Sequence, residues 1–563
     1  MVKADLSEPK PIVWTIAGSD SGGGAGIQAD LACMQDLGCH ACSVISTITA
    51  QSSVAVSLVE GVSEAMLLAQ LNTLLDDLPP KAIKIGLLSD QAQLLLVANW
   101  LRETLAVYQA HTEQFVPVIL DPVMFASCGD TLSTPALESL DFSCFKGLLT
   151  LITPNGAELS VLAGEGVDES TGLTNIAACL LAAQQLAMDL DCAVLAKGGD
   201  KGGTWDSDWA HDIFVCGQVP EVSLDHQNSR FLLTGQRIDT INNHGTGCTL
   251  SSAIAATMAS GFVLHDAIVL AKAYVSAGLK DSEQLGVGPG VLARMGWPSH
   301  LSDFPSILKL PPYSLNSEDP RQYMTAALMA SRYAHLNELR LNERVANKLT
   351  TIDKPFNVIE GPLGLYPVVD DVDMLASLLA AGTQTIQLRI KCTSEQDDPL
   401  LEEKIMQAVA LGQQYEARVF INDHWQLAIK HGAYGVHLGQ EDLAFVDLPA
   451  LSEANIALGV SSHSYFELLL ASQLAPSYLA LGHIFPTTTK VMPSLPQGLN
   501  KLSCYVSLMK GHYPLVAIGG IDDDRLEQVK ATGVDDIAVV RAITQASSPA
   551  TAFTRLSQRW AQS

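Results

Sequence analysis

The chain of 563 residues is too long for a single hydrophobic core, so two or three domains are expected. A hydrophobic fraction of 48% with 17% charged residues excludes a generally disordered protein, and the net charge of −27 argues against a nucleic-acid-binding protein. The 11 cysteines are an odd number in a large chain, which is typical of a reducing cytosol rather than a disulfide framework.

The N-terminal segment shows no targeting signal. Residues 1–11 mix charged residues with prolines and lack the apolar stretch of a secretory signal. No uncharged apolar stretch elsewhere in the chain is long enough to cross a bilayer. We therefore expect a cytoplasmic protein that acts on small molecules and does not bind a membrane.

A glycine-rich loop follows the first predicted strand. Residues 12–17 are apolar, and residues 18–26, with the sequence GSDSGGGAG, lead into a predicted helix that carries Asp30. A second predicted strand over residues 43–49 ends beside Gln51, whose amide offers a donor and an acceptor side by side. Taken alone, Gln51 is as consistent with a solvated loop residue as with a binding residue.

Polar residues also follow three later predicted strands. Asp121 lies in the apolar segment 118–124, Asn155 follows Leu151-Ile152, and Lys197 follows Ala196. Ligands of open α/β sheets bind at the carboxyl ends of strands, so Asp121 is a candidate for Mg²⁺ or phosphate-side contacts. The alternation of strands and helices predicts a mostly parallel, doubly wound sheet.

The segment 243–250, with the sequence NHGTGCTL, precedes a run of small residues that predicts a helix over 251–259. Gly245 and Gly247 flank Thr246 and allow a tight turn in which successive N–H groups point one way. A helix start adds the positive end of its dipole, so the segment predicts a cradle for a phosphoryl group. Taken alone, a glycine turn that merely caps a helix remains the alternative.

These segments together resemble the ribokinase-like small-molecule kinases, and more closely the hydroxymethylpyrimidine and hydroxymethylpyrimidine-phosphate kinases of thiamine biosynthesis, over residues 11–300. The resemblance implies that Cys248 is the catalytic base, where most ribokinase-like enzymes carry Asp. It places four residues around the hydroxymethylpyrimidine: Gly18, Asp30, Gln51 and Leu87. It assigns ATP binding to Asn155, Lys197, Gly245, Thr246 and Gly247. Ser127 and Cys128 depart from the Lys and Ser of the family, and Leu87 replaces its usual Met.

Beyond residue 290 the pattern loosens and prolines recur. We expect residues 301–354 to form a partly helical linker between a domain over 11–300 and a second domain over 355–560. Eight short apolar runs separated by helical stretches predict a (β/α)₈ TIM barrel in the second domain. The runs are 365–369, 385–390, 418–421, 434–438, 456–460, 478–481, 515–518 and 536–540.

Polar residues gather at the ends of these runs, where a barrel carries its chemistry. Gln387, Arg389 and Lys391 are spaced by two and are expected on one face of a strand, where they predict an anion site. Asp423 and Asp442 follow adjacent runs and suit a hard cation such as Mg²⁺, which prefers oxygen ligands.

Six motifs in this region, QLRIK, INDHW, GVHLGQEDL, GVSSH, GHIFPTTTK and AIGGI, resemble the thiamine-phosphate synthases over residues 364–545. The resemblance implies that Asp423 and Asp442 bind Mg²⁺, and that Arg389 and Lys490 are catalytic because they neutralise a departing diphosphate. It assigns the pyrimidine diphosphate to Gln387, Leu388, Arg389, Ile390, Lys391, Asn422, Ser461 and Lys490. It assigns the thiazole phosphate to Thr487, Thr488, Thr489, Gly520, Val540 and Arg541. Arg541 stands where the family has Ser.

The two resemblances imply one pathway in one chain. The first domain would phosphorylate hydroxymethylpyrimidine and its phosphate with ATP and Mg²⁺, and the barrel would couple the diphosphate to thiazole phosphate, giving thiamine phosphate and pyrophosphate. A pyridoxal-type kinase is the alternative for the first domain, and a thiazole tautomerase for the second. Either domain could also be a catalytically silent binding module. We further expect a homo-oligomer.

Overall fold

The computed structural model describes residues 9–124, 140–164, 176–199, 209–216, 229–310, 356–391, 400–487 and 495–562. These residues divide into two compact units, 9–310 and 356–562. Most of the predicted linker, residues 311–354, lies outside the described residues, as do Ser127, Cys128, Thr488, Thr489 and Lys490. Among the described residues, no helix is both long and apolar enough to cross a membrane.

The first unit is built on one sheet flanked by helices. Its strands are β1 Ile12–Asp20, β2 His40–Gln51, β3 Val56–Gly61, β4 Ala82–Ile85, β5 Val118–Leu120, β6 Leu151–Ile152, β7 Ala193–Ala196, β8 Trp209–Val215, β9 Arg230–Gln236 and β10 Ser306–Lys309. Its helices are α1 Gly26–Asp36, α2 Glu64–Asp77, α3 Gln91–Trp100, α4 Ala106–Thr112, α5 Gly156–Leu162, α6 Ile176–Leu190, α7 Thr246–Ala259 and α8 Leu264–Lys280. A π-helical turn, Leu101–Leu105, joins α3 to α4, and 3-10 turns cover Phe142–Phe145 and Leu301–Asp303.

The sheet has ten strands in the order β10-β9-β8-β7-β6-β5-β4-β1-β2-β3. The central strands from β7 to β2 are parallel, which confirms the doubly wound core. Both edges are antiparallel, so the sheet is mixed. A parallel connection needs a crossover of a dozen or more residues, and only residues 52–55 separate β2 from β3. Strand β10 adds residues 306–309, which we had expected in the linker, to the β9 edge.

Helix α7 lies across the centre of this sheet and packs against β1, β4, β5 and α1. The small side chains of Ala253, Ala255 and Ala256 are fully buried and let the helix approach the sheet closely. The helix begins at Thr246, earlier than the sequence indicated, with Gly245 as its N-cap in the left-handed conformation. The first turn of α7 therefore lies at the carboxyl ends of the central strands.

The second unit is a closed barrel of eight parallel strands, β11 to β18, in which β18 pairs with β11. This confirms the predicted barrel. The strands are β11 Leu365–Val369, β12 Thr385–Leu388, β13 Arg418–Asn422, β14 Gly435–Leu438, β15 Ala457–Ser462, β16 Tyr478–Leu481, β17 Leu515–Ile518 and β18 Asp536–Val539. The helices are α9 Val372–Ala380, α10 Leu401–Gln414, α11 Trp425–His431, α12 Leu448–Glu453, α13 Tyr465–Ser472, α14 Gly498–Met509, α15 Leu526–Ala531, α16 Arg541–Thr544 and α17 Pro549–Gln562, with a 3-10 turn at Asp442–Ala444.

Aromatic rings fill the middle of the barrel. Tyr366, Phe420 and Tyr478 are buried in its interior cluster, and the Phe420 and Tyr478 rings meet edge to face at 5.3 Å. Glycine makes room for them: a Cβ on Gly459 would lie 2.2 Å from Cζ of Tyr478. This aromatic layer fills the barrel interior below the polar residues at the strand ends.

Candidate functional sites

A small cavity of about 60 Å³ lies at the carboxyl ends of β1 and β2. Gly18, Gln51 and Leu87, three of the residues assigned to hydroxymethylpyrimidine, line it together with Cys248. Gly18 has no space for a side chain, because a Cβ there would lie 2.3 Å from Oγ1 of Thr47. The structure thus brings together four residues that are widely separated in the sequence.

Asp30 does not line this cavity, contrary to our expectation. Its carboxylate accepts hydrogen bonds from the hydroxyls of Thr15 and Ser252, both at 2.6 Å, and pairs with Nζ of Lys84 at 2.7 Å. Lys84 and Asp30 are both fully buried, and Lys84 lies in the lining. Lys84 therefore lines the cavity, and Asp30 holds the Lys84 ammonium through this buried ion pair.

Two lining residues that the sequence analysis missed, Asp20 and His244, join the two glycine loops. The Asp20 carboxylate accepts backbone N–H groups of Gly22, Gly24 and Ala25 at 2.8–3.1 Å and lies 3.3 Å from Nε2 of His244. Burial opposes the charged form of Asp20, but the His244 contact and the backbone donors hold its pKa below the usual value. A carboxylate two residues before a glycine run was the available signal.

A larger cavity of about 380 Å³ adjoins the first turn of α7. All the residues assigned to ATP line it: Asn155, Lys197, Gly245, Thr246 and Gly247. Asp121, Glu158 and Arg237 contribute further to its wall. Cys248 lines this cavity as well as the small one, so its thiol lies at the junction between the two.

Charged groups converge beside the loop. Lys197 pairs with Asp121 at 2.7 Å, and a Cβ on Gly247 would lie 3.2 Å from Nζ of Lys197. Burial and the neighbouring Asp121 raise the pKa of Glu158 to about 7, against the opposing effect of Lys197. Asn155 and Glu158 form a capping box at the start of α5, which fixes Asn155 at the cavity edge.

The thiol of Cys248 is not acidic in this structure. Burial raises its pKa to about 11, Asp30 and Asp121 act in the same direction, and Lys84 together with the backbone N–H of Gly26 opposes them. A thiol must lose its proton before it can act as a base, so burial disfavours the form of Cys248 that a general base requires. Desolvation is the largest cause of the raised pKa.

The barrel contains a cavity of about 460 Å³ at the carboxyl ends of its strands. Ten of the assigned residues line it: Gln387, Arg389, Asn422, Asp423, Asp442, Ser461, Thr487, Gly520, Val540 and Arg541. Leu388, Ile390 and Lys391 do not. Strand β12 ends at Leu388, so Arg389 and Lys391 follow the strand instead of lying on it, although Arg389 still reaches the same cavity as Gln387.

Two carboxylates face each other in this cavity. Asp423 and Asp442 are in hydrogen-bond contact, and burial together with the Asp442 charge raises the pKa of Asp423 to about 6, although Arg389 opposes the shift. Like charges held this close are stabilised by a shared cation. The donor set, two carboxylates in a polar cavity, fits Mg²⁺. Asp423 is also one of the few residues other than glycine with a positive φ, 62°.

Three histidines of the cavity, His437, His463 and His483, were missed by the sequence analysis. His437 lies between Tyr478 and Ser461, at 2.7 and 2.8 Å, and burial lowers its pKa to about 3, helped by Arg389 and His463. It is therefore neutral at physiological pH. Its place between two apolar residues of β14 is the strand alternation that indicates an inward side chain.

The loop after β17 is shaped by two glycines. Gly519 and Gly520 both have positive φ, 107° and 67°, and a Cβ on Gly520 would lie 2.8 Å from Cβ of Phe485. Arg525 donates to the carbonyl of Gly520 and lies 4.6 Å above the Phe485 ring. The loop is thus held against the segment that leads to Thr487.

Two family models match the chain. The model described as phosphomethylpyrimidine kinase matches residues 20–293, and the model described as thiamine monophosphate synthase matches residues 365–543. Among curated proteins, the thiamine-phosphate synthase of Pectobacterium atrosepticum is 55% identical over 196 residues, which are 35% of this chain and 91% of that protein.

Solved structures also match the first unit. A pyridoxal kinase from Staphylococcus aureus in complex with pyridoxal is 27% identical with a TM-score of 0.42, over 51% of this chain and 94% of that chain. A phosphomethylpyrimidine kinase from Clostridium difficile 630 is 28% identical with a TM-score of 0.36, over 47% of this chain and 98% of that chain.

Proposed function

We propose how each domain of this chain works, starting from the family to which it belongs. Its C-terminal domain makes it a member of the thiamine-phosphate synthase family, and a phosphomethylpyrimidine kinase domain precedes that domain. It is a bifunctional transferase of thiamine biosynthesis whose kinase domain uses ATP.

In the first phosphorylation, hydroxymethylpyrimidine occupies the small cavity and the ATP phosphates occupy the larger one. In its thiolate form, which burial disfavours in the protein without substrates, Cys248 accepts the proton of the substrate hydroxyl as that hydroxyl oxygen attacks the terminal phosphorus of ATP. The N–H groups of Thr246 and Gly247 and the Lys197 ammonium face the charge that develops on the transferred group. The assignment of Cys248 as the base depends on one observation: this residue lines both cavities.

The second phosphorylation needs less from Cys248. The attacking group is now a phosphate oxygen that is already ionised, so no strong base is required. The same positive groups around the loop hold the phosphates of ATP and orient them. We therefore infer that one site catalyses both transfers and that the two steps differ in their dependence on the thiol.

In the barrel, the pyrimidine diphosphate lies against Gln387, Arg389, Asn422 and Ser461. Asp423 and Asp442 would hold Mg²⁺, which when bound supplies positive charge to the departing diphosphate. Arg389 adds a second charge beside the carboxylates. The bond from the pyrimidine methylene to the diphosphate breaks, and the thiazole nitrogen forms the new bond to that carbon. The loop at Gly520 and the Val540-Arg541 step receive the thiazole phosphate.

One assay tests this scheme as a whole. The full chain is supplied with hydroxymethylpyrimidine, thiazole phosphate, ATP and Mg²⁺, and thiamine phosphate and pyrophosphate are measured. Replacing hydroxymethylpyrimidine by pyridoxal distinguishes a hydroxymethylpyrimidine kinase from a pyridoxal-type kinase. Omitting Mg²⁺ tests whether the reactions require the metal ion. Failure to form thiamine phosphate from supplied pyrimidine diphosphate would overturn the barrel assignment. The expected homo-oligomer is tested by sedimentation of the same preparation.

A further inference from the structure

A continuous chain of hydrogen bonds crosses the barrel interior beneath the cavity. Nε2 of Gln387 contacts the Tyr366 hydroxyl at 3.3 Å, and that hydroxyl contacts the Tyr478 hydroxyl at 3.1 Å. The Tyr478 hydroxyl lies 2.7 Å from Nδ1 of His437, and Nε2 of His437 lies 2.8 Å from Oγ of Ser461. The five residues come from five strands, β12, β11, β16, β14 and β15, so only closure of the barrel brings these hydrogen-bonding side chains together.

The chain has a direction, which its first member sets. An amide nitrogen can only donate, so the Tyr366 oxygen accepts from Gln387. A phenol oxygen could accept from Tyr478 as well, but among the described residues the Tyr478 oxygen is the one acceptor in contact with the buried Tyr366 hydroxyl, so Tyr366 donates its proton to Tyr478. Tyr478 then donates to Nδ1 of His437. A neutral imidazole carries one proton, which must therefore lie on Nε2 and be donated to Ser461.

At the far end, Ser461 accepts from His437 and lines the cavity. With its oxygen engaged in this way, the hydroxyl can present its own hydrogen to an acceptor in the cavity. The reverse direction would have Ser461 donate to His437 and turn only lone pairs toward the cavity, where they would repel an anion. The two directions thus differ in whether Ser461 attracts or repels a diphosphate.

We propose that Tyr366, Tyr478 and His437 are positioning residues that fix the Ser461 hydroxyl as a hydrogen-bond donor to the diphosphate. The inference rests on the proposed function of the barrel and adds to it three residues with no assigned role. Burial supports it, because Tyr366 and Tyr478 are 1% and 0% exposed and water does not compete for their hydroxyls. The Tyr478 ring is fixed in place by Gly459, where a Cβ would lie 2.5 Å from the tyrosine hydroxyl.

The test is a double-mutant cycle on the full chain. Tyr478→Phe, Tyr366→Phe and Ser461→Ala are made singly, and each tyrosine variant is combined with Ser461→Ala. Coupling is measured from supplied pyrimidine diphosphate, thiazole phosphate and Mg²⁺ without ATP, and inorganic pyrophosphate binding is measured by calorimetry. Tyr505→Phe is the matched control, since this buried tyrosine also loses one hydrogen bond, to Gln497, but lies on α14 away from the cavity.

We expect each single variant to weaken pyrophosphate binding roughly tenfold, the worth of one hydrogen bond to a charged group. In the Ser461→Ala background, either tyrosine variant should add less than about twofold, because the group through which it acts is gone. Tyr505→Phe should leave binding unchanged. If Tyr478→Phe does not fold, Tyr366→Phe decides, because it breaks the chain at a site that does not contact His437.

The proposal would be overturned if the fold-losses in pyrophosphate affinity of the single variants multiply in the double variants. Such a result would show that the tyrosines act independently of Ser461. Unchanged pyrophosphate binding in both tyrosine variants would do the same. Failure of the proposed function appears differently, as a wild-type chain that makes no thiamine phosphate. The calorimetric cycle with pyrophosphate still tests the hydrogen-bond chain in that case.

Discussion

The carbonyl oxygen of Gly24 lies only 2.0 Å from the position that a Cβ on Gly245 would occupy. The two glycine loops of the kinase domain, one after β1 and one before α7, therefore meet at a point where neither can carry a larger residue. Gly245 also has a φ of 77°, which side chains other than glycine rarely adopt. Gly245 lines the cavity assigned to ATP, and Ala25, next to Gly24, lines the cavity assigned to the pyrimidine.

Gly245→Ala should consequently abolish most kinase activity and leave the barrel active. The new methyl group meets backbone and not a movable side chain, and the left-handed conformation adds about 1–3 kcal/mol of strain. Phosphorylation with ATP and coupling from supplied diphosphate are measured separately. Gly38→Ala is the control, because Gly38 shares a positive φ of 88° but has open space at its Cβ position. Equal loss in both variants would mean that the contact with Gly24 is unimportant.

Cys248→Ala tests the proposed base. We expect the first phosphorylation to fall by roughly 10²–10⁴-fold, the usual worth of a general base, and the second to fall less. Rates are compared with hydroxymethylpyrimidine and with its phosphate as substrates. Cys144→Ala serves as the control, since Cys144 lines neither cavity of the kinase domain. Small and equal losses in both steps in a folded Cys248→Ala protein would contradict the role.

The raised thiol pKa of Cys248 has a direct chemical consequence. A thiolate reacts with haloacetamides and a thiol does not, so alkylation of Cys248 without substrates should accelerate with pH throughout the range up to about pH 10. The group gains charge only as the pH approaches its pKa of about 11. Mass spectrometry of the labelled peptide gives the rate. Lys84→Met should slow labelling at any given pH, since Lys84 lowers the pKa of the thiol. A rate that is already constant at neutral pH would show an acidic thiol and contradict the structure.

Asp423→Asn should abolish coupling and preserve both phosphorylations, because the variant loses one of the two carboxylates that face each other in the barrel cavity. Thiamine phosphate formation from supplied diphosphate and ATP consumption with hydroxymethylpyrimidine are the two measurements. Asp447→Asn is the matched control, as Asp447 caps helix α12 and asparagine caps equally well. A parallel fall in kinase activity would show that the two sites are not independent.

Much of the barrel site was available from the sequence because strand alternation is local. Asn422, Asp423 and Ser461 lie at the ends of apolar runs, and any eight such runs closed into a barrel point their terminal residues into one cavity. Strand alternation could not place the residues beyond the end of the strand. Ile390 and Lys391 follow the last residue of β12, so their directions depend on a loop and not on the strand.

The sequence by itself determined the two folds, their order and a set of polar residues at each of the three cavities, because periodicity, glycine loops and strand-end polar groups are properties of short segments. Tertiary structure decided what depends on distance and burial between remote segments. It paired the buried Asp30 with Lys84, raised the pKa of Cys248 by burial, and linked Gln387 to Ser461 through side chains from three other strands. Hydrogen bonding and desolvation act over a few ångströms, and only the folded chain brings these groups that close.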